Sequence, residues 1–342
     1  MRRSFYRGLV TLALGVAMTL PAAAATQLTG AGSSFDYPFF SKAFYIYNQK
    51  RPDVTVNYQS IGSGGGIQQF TAKNVDFGAS DVPMNAEELG RAKQAVLQIP
   101  VTLGGAAIAY NLPGVSATLR LSRQALADIY LGKIAKWNDP EIAKLNAGVK
   151  LPDTPIVVVH RSDGSGTSYI FTDFLSHVSP EWKSKVGTGK SVSWPAPSSV
   201  GAKGNEGVAG QVRSTPGAIG YVELAYVIEN KMPAVTLQNK AGKWVACSPE
   251  TVAAAAATKP NVSPTNFSIV DSAGANSYPV SGYSWVMIYK DQSDKTRGKI
   301  LYDVLSWLVG PQGQSNAKSV DYVPLPVNVQ NAASATLRQM QR

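Results

Sequence analysis

The sequence predicts an α/β protein of two domains that share the chain by crossing between them. Apolar, β-branched runs of strand length alternate with segments whose apolar residues recur at helical spacing. Three strand-to-helix junctions are short turns of small residues, Gly30–Ser34, Gly62–Gly66 and Arg161–Ser168. The chain has 342 residues, 44% hydrophobic and 16% charged, ample for two cores, yet neither an internal repeat nor a long linker divides it into halves.

The elements follow in order. Met1–Arg7 is basic, Leu9–Leu20 is apolar, and Pro21–Ala25 offers a small-residue cleavage site, the pattern of a secretory signal peptide over residues 1–25. Cutting after Ala25 removes three Arg and no acid, so the formal charge falls from +10 to +7. The apolar run is short for a membrane span, and no Cys stands at the cleavage site to carry a lipid, so a free protein in the periplasm is expected. Phe35–Tyr47 reads as a helix, Val54–Tyr58 as an alternating strand, and Ile67–Ala72 as a helix opened by the glycine turn. The run Asp76–Met84 ends a strand-like segment, and Asn85-Ala-Glu-Glu88 has the form of a capping box. Gly104–Tyr110 reads as a strand, Ser122–Leu131 as a helix, Ile156–Val159 as a strand and Tyr169–Leu175 as a helix. Asn205–Arg213 is helical, Ala218–Val222 and Trp285–Tyr289 are strands, and Ile300–Leu308 is a helix closed by Gly310-Pro311. Cys247–Asn266 reads as surface connection around a short Ala helix, Val252–Thr258.

The turn Arg161-Ser-Asp-Gly-Ser-Gly-Thr-Ser168 carries the clearest chemistry. A small-residue turn before a helix leaves the first N–H groups unpaired and facing outward at the positive end of the dipole. Gly164 and Gly166 allow close approach to the backbone; Ser165, Thr167 and Ser168 add hydroxyls; Arg161 adds a planar fork of donors. These are the parts of an oxyanion seat, and the other two turns supply more of the same if the three converge.

Much is excluded. The two histidines, His160 and His177, have no metal partner at useful spacing, and no metal or other cofactor is expected. Nucleophile-elbow, P-loop and dinucleotide-binding motifs are absent, so the site is built to hold an anion, not to convert one. Lys and Arg are scattered without a basic run, which argues against nucleic acid. The single cysteine, Cys247, precludes a disulfide within a monomer, the state expected here. Asp81 sits in a Ser/Gly-rich context at a strand end, where a turn carboxylate is the plainer reading. Facing the anion instead, it would repel fully ionised sulfate and accept the proton that phosphate still carries near neutral pH.

These segments resemble the periplasmic phosphate-binding proteins of bacterial high-affinity phosphate ABC importers. The resemblance runs through Leu28–Phe35, Asn57–Gly66, Val75–Asp81, Ile129–Ile134 with Trp137-Asn138, Arg161–Ser168 and Pro216–Val222. It implies the two-lobed type 2 periplasmic-binding-protein fold: mixed sheets flanked by helices, joined by two extended crossings near Tyr110-Asn111 and Pro279-Val280. Lobe 1 would comprise 26–110 with 280–342, and lobe 2 would comprise 111–279. It also implies that phosphate is bound by Ser34, the backbone of Phe35, Ser63, Arg161, Ser165, Gly166 and Thr167, with Asp81 taking the phosphate proton and Asp163 holding Arg161. Position 34 is Ser where the family often has Thr, which keeps the hydroxyl. The implied partners are inorganic phosphate and a membrane permease with its ATPase subunits. A receptor for sulfate or molybdate, and a secreted phosphoesterase, are the alternatives.

Overall fold

The computed structural model describes residues 25–342. The signal peptide expected over residues 1–25 falls, but for its final residue, outside the described residues.

In chain order, β1 (Thr26–Gly32) leads to α1 (Tyr37–Lys50), β2 (Val54–Ser60), α2 (Ser63–Thr71), β3 (Phe77–Ser80), α3 (Ala86–Ala92) and β4 (Val96–Tyr110). Then come β5 (Arg120–Leu121), α4 (Arg123–Tyr130), α5 (Pro140–Leu145), β6 (Val157–Arg161), α6 (Gly166–Val178) and α7 (Pro180–Lys185). Next are β7 (Ser199–Ala202), α8 (Gly204–Ser214), β8 (Ala218–Glu223), α9 (Leu224–Glu229), β9 (Thr236–Gln238), β10 (Trp244–Val245) and α10 (Pro249–Ala257). The last elements are β11 (Ser281–Tyr289), α11 (Lys295–Val309), α12 (Pro311–Gln314), a 3-10 turn (Ala317–Val320) and α13 (Val327–Leu337).

Eight strands form one mixed sheet in the order β2-β1-β3-β11-β4-β8-β6-β7, and β10-β9-β5 form a small second sheet. β1 runs parallel to β2 and β3, and β6 runs parallel to β7 and β8. Between these two parallel sets lie β11 and β4, which pair antiparallel with each other and with their outer neighbours. From Val96 to Gly105, β4 pairs with β11; from Ala106 to Tyr110 it pairs with β8. One strand therefore belongs to both sides. Leu28, Phe40, Phe77, Ile288 and Leu305 are buried in a core on the β1 side. Tyr130, Phe171, Trp182 and Tyr221 are buried in another on the β6 side.

The structure departs from the sequence reading at element ends. β4 begins at Val96, well before Gly104, and contains Pro100. Pro lacks the ladder N–H, and the register shifts at this point, Thr102 facing Ser284 and Pro100 facing Trp285, so Val101 is an extra residue. The glycine run lies inside the first turn of α2 instead of before it. A Cβ at Gly66 would stand 2.3 Å from Gly32 Cα, so only glycine lets this helix seat against β1. α11 starts five residues early, at Lys295, because Asp294 accepts from Arg297 N and caps a polar first turn. The capping box of α3 is present with both bonds, Asn85 to Glu88 N and Glu88 to Asn85 N.

Candidate functional site: a buried donor cluster where the two sheet halves meet

The carboxyl ends of parallel strands on both sides point to one place, as in other open α/β sheets. β1 delivers Ser33 and Ser34, β2 leads to Ser63, and β3 delivers Asp81. From the other half, β6 delivers Arg161 and the turn into α6, and β7 leads to Asn205.

The three small-residue segments meet, although only Ser33 and Ser34 of the first lie in a turn, since Gly30–Gly32 pair on both sides as the end of β1. Gly64 N donates to Gly164 O at 2.7 Å, and Gly166 N donates to Ser63 Oγ at 3.0 Å. Asn205 N and Nδ2 both donate to Ser34 Oγ at 3.0 Å. Tyr226 Oη donates to Ser34 O at 2.7 Å. A Cβ at Gly166 would lie 2.6 Å from Asp81 Cβ, Asp81 Oδ2 and Ser63 Oγ, so a side chain there would hold the halves apart. Away from the turns, the ion pair Lys190–Glu88 also bridges the halves.

Lone-pair counting shows which way the hydroxyls point. A hydroxyl has one proton and two acceptor positions. Ser34 Oγ accepts twice from Asn205. Ser63 Oγ accepts from Asp81 N at 3.2 Å and from Gly166 N. Thr167 Oγ1 accepts from Arg161 Nη1 at 3.3 Å and from Asn205 Nδ2 at 3.1 Å. With both acceptor positions filled, all three can only donate. Ser165 caps α6 by accepting from Ser168 N at 3.0 Å, which leaves its proton free as well.

Arg161 is 1% exposed at its side chain and grips Asp163 with Nε at 2.7 Å and Nη2 at 2.5 Å. Burial alone would push Asp163 up, but the Arg161 fork overrides it and holds the carboxyl below its ordinary range. Gly204 N donates to the same carboxylate, so the pair is locked and Nη1 stays aimed at Thr167.

Asp81 is 1% exposed. Its Oδ1 takes Ser33 Oγ at 2.5 Å and Ser284 Oγ at 3.0 Å, while its buried Oδ2 has no partner. Burial pushes Asp81 up to about 6, against the hydrogen bonds from Ser33 and Ser284 and the attraction of Arg161. The result is one acceptor oxygen among many donors.

Ser34, Ser63, Asp81, Arg161, Ser165, Gly166 and Thr167 thus cluster, with Asp163 behind Arg161. Phe35 differs: its side chain is fully buried in the core, and its N–H donates to Ser33 Oγ at 2.9 Å. Sequence reasoning missed Asn205, Ser33, Asp36, Tyr226 and Ser284. His160 stacks on Trp194 at 4.9 Å and His177 ends α6, both outside the cluster. Among the described residues there is no group of three or more His, Cys, Asp or Glu able to hold a metal ion, and no helix long and apolar enough to cross a membrane.

A mixed sheet with one strand, β4, common to both sides, and strand ends converging on a cluster of buried donors, is the architecture of the two-lobed periplasmic binding proteins. The family model for the PBP superfamily domain matches residues 19–312. Over 308 residues the chain is 49% identical to the phosphate-binding protein PstS of Pasteurella multocida, covering 89% of this chain and 88% of that one. It is 37% identical over 319 residues to the phosphate-binding protein PstS of Methanocaldococcus jannaschii, covering 87% of this chain and 82% of that one. The fold matches the phosphate-binding protein of Stenotrophomonas maltophilia at a TM-score of 0.72 and 21% identity, over 91% of this chain and 94% of that one. It matches the protein PfluDING, solved bound with phosphate, equally well, over 91% and 93%. The chain belongs to the PstS family of phosphate-binding proteins within that superfamily.

Proposed function

We propose that the protein is a non-enzymatic receptor that binds inorganic phosphate between two lobes and delivers it to an ABC-type membrane permease for import. The observation that carries this is the acceptor-saturated state of Ser34, Ser63 and Thr167 around the unpartnered Oδ2 of Asp81. Three hydroxyls that can only donate, the Thr167 N–H in the first turn of α6 and the guanidinium of Arg161 suit oxyanion oxygens. A single carboxylate oxygen suits the proton of hydrogen phosphate and opposes sulfate, which has none to offer. Ser34, the Phe35 backbone, Ser63, Asp81, Arg161, Ser165, Gly166 and Thr167 are the proposed ligands, with Asp163 supporting Arg161; the Phe35 and Gly166 N–H groups, which donate to Ser33 and Ser63 in this structure, would share their protons with the anion.

The lobes of this reading are 26–110 with 280–342, and 111–279. Bonds between turns from the two halves favour the closed state, and an anion engaging both would add to them. The receptor would act outside the cytoplasmic membrane as a monomer after export, without cofactor, with the permease's ATPase driving transport.

Calorimetry tests this. One phosphate per chain should bind at micromolar or tighter, about −8 kcal/mol or better. Sulfate in large excess should barely compete. In Asp81→Asn, sulfate should gain about 1–3 kcal/mol because a buried charge clash is replaced by a donor. Equal, poor competition by sulfate in both proteins would remove Asp81 from the discriminating role.

A further inference from the structure

Behind Asp81 lies a second carboxyl, Asp36, 0% exposed. It occupies the N-cap position of α1, yet its side chain makes no cap bond to that helix. The usual reason for a helix-start Asp to be ionised is therefore missing. Its Oδ2 lies 2.6 Å from Ser284 Oγ, and its Oδ1 lies 3.1 Å from Tyr58 Oη.

Both hydroxyls are contested. Ser284 Oγ, itself fully buried, stands between Asp36 Oδ2 and Asp81 Oδ1, at 2.6 and 3.0 Å. Tyr58 Oη stands between Asp36 Oδ1 and the Ser33 carbonyl, at 3.1 and 2.8 Å. Each hydroxyl has one proton for two oxygens that, if both acids are ionised, can only accept. Two bare carboxylates would then press on one hydroxyl oxygen in a dry interior, where such pairs hold a proton between them. One added proton resolves the conflict.

The surroundings decide where it sits. Arg161 faces Asp81, and Ser33 donates to Asp81 without competition, so the negative charge is best held there. Asp36 bonds to Tyr58, and the hydroxyls of Tyr226 and Tyr322 lie on the Ser34 and Phe35 carbonyls just before it; among the described residues no cation pairs with it, and burial with the nearby Asp81 charge raises it well above the ordinary carboxyl range.

We propose that Asp36 and Asp81 share one proton at neutral pH, that it resides on Asp36, and that Ser284 passes this polarity on by donating to Asp81. Asp36 then donates to Ser284, Ser284 and Ser33 donate to Asp81 Oδ1, and Oδ2 is left as the site's anionic acceptor. Asp36 and Ser284 are positioning residues: they touch no ligand but fix which acid is charged. The consequence for ligand choice rests on the phosphate reading above; the proton count does not.

Infrared difference spectroscopy of the ligand-free protein at neutral pH tests the count. Wild type minus Asp36→Asn should show the carbonyl stretch of a protonated carboxyl, and the buried Glu223 cancels in the subtraction. An absent band overturns the proposal whether or not phosphate binds. Competition between phosphate and sulfate then tests the relay. Asp36→Asn, whose amide donates as the protonated acid does, should keep wild-type discrimination within about twofold. Ser284→Ala should lose about tenfold to a hundredfold of it, one hydrogen bond to a charged group, and Ser284→Thr should restore it. Discrimination lost in Asp36→Asn, or retained in Ser284→Ala, refutes the assignment. If Asp36→Asn does not fold, the carboxyl carbon of Asp36 in the wild type, read by nuclear magnetic resonance, serves instead: an ionised shift at neutral pH is the overturning result.

Discussion

Asn205→Asp is the most searching test of the donor arrangement. Asn205 is fully buried, and its Nδ2 donates to Ser34 Oγ at 3.0 Å and Thr167 Oγ1 at 3.1 Å while its Oδ1 accepts from Glu223 N at 2.9 Å. The substitution keeps shape, volume and the bond from Glu223. It replaces the amide nitrogen with an oxygen, so both hydroxyls turn to donate to the new carboxylate. Neither is then free to donate to the anion. Two hydrogen bonds to a charged ligand are lost, each worth about 1.5–3 kcal/mol, for a total of about 3–6 kcal/mol or two to four powers of ten in phosphate affinity. Repulsion between the new charge and the anion adds to this. Asn205→Ala should bind phosphate better than Asn205→Asp, because its hydroxyls stay free to donate, but it should unfold at lower temperature. It leaves the buried Glu223 N–H without a partner, at a cost of about 1–3 kcal/mol. A protonated carboxyl donates as the amide did, so the Asn205→Asp defect should shrink as pH falls. Isothermal titration with phosphate at several pH values reads all of this. Binding by Asn205→Asp within about tenfold of wild type at neutral pH would refute the lone-pair argument.

Other outcomes follow from the same geometry. Arg161→Ala should weaken phosphate binding by roughly 2–5 kcal/mol, since it strands Asp163 in a buried setting. Arg161→Lys should be nearly as poor, because an ammonium cannot grip Asp163 and Thr167 together; unchanged affinity in both variants would place Arg161 outside the site. Gly166→Ala sets a methyl 2.6 Å from Asp81 and Ser63 and should impair closure, lowering phosphate affinity by about 1–3 kcal/mol while leaving thermal unfolding of the ligand-free protein near wild type. Asp81 is raised to about 6, so it gains a proton as pH falls through that value, loses its charge and can donate. Sulfate, a dianion throughout, should therefore compete better below about pH 6, and a flat competition profile between pH 5 and 8 would contradict the assignment.

The parts of the site that stood out in the sequence are those whose residue types have few other uses. An Arg within a Ser/Gly turn between a β-branched run and an apolar helix has little structural purpose, and Arg161–Ser168 is where the buried donors gather. Asn205 gave no such signal. It is one polar residue in the first turn of a helix, a position where Asn is common and unremarked. Asp36, Ser33 and Ser284 were equally silent, because their meaning lies in contacts between β1, β3 and β11 that only the folded sheet creates. The long β4 was cut short for a different reason: buried along nearly all its length, it has no alternation to read, and Pro100 looks like an end until the bulge at Val101 is seen. The Gly62–Gly66 run was recognised as special, but its use is steric as much as anion-binding, since it lets α2 lie against β1.

The position of β11 also bears on how the chain folds. It is the last strand to be synthesised, yet it lies in the middle of the large sheet, between β3 and β4. Until it emerges, β1–β3 on one side and β4 with β8, β6 and β7 on the other have no direct ladder between them. A nascent chain can assemble these halves separately but cannot join them into one sheet, and the joining step closes a loop from β4 to β11 that contains all the intervening elements. Closing so long a loop makes the final step slow and leaves the edges of β3 and β4 unpaired in the meantime. Translation that stops before Ser281 leaves two half-sheets with exposed edges, the form most open to chaperones and to aggregation.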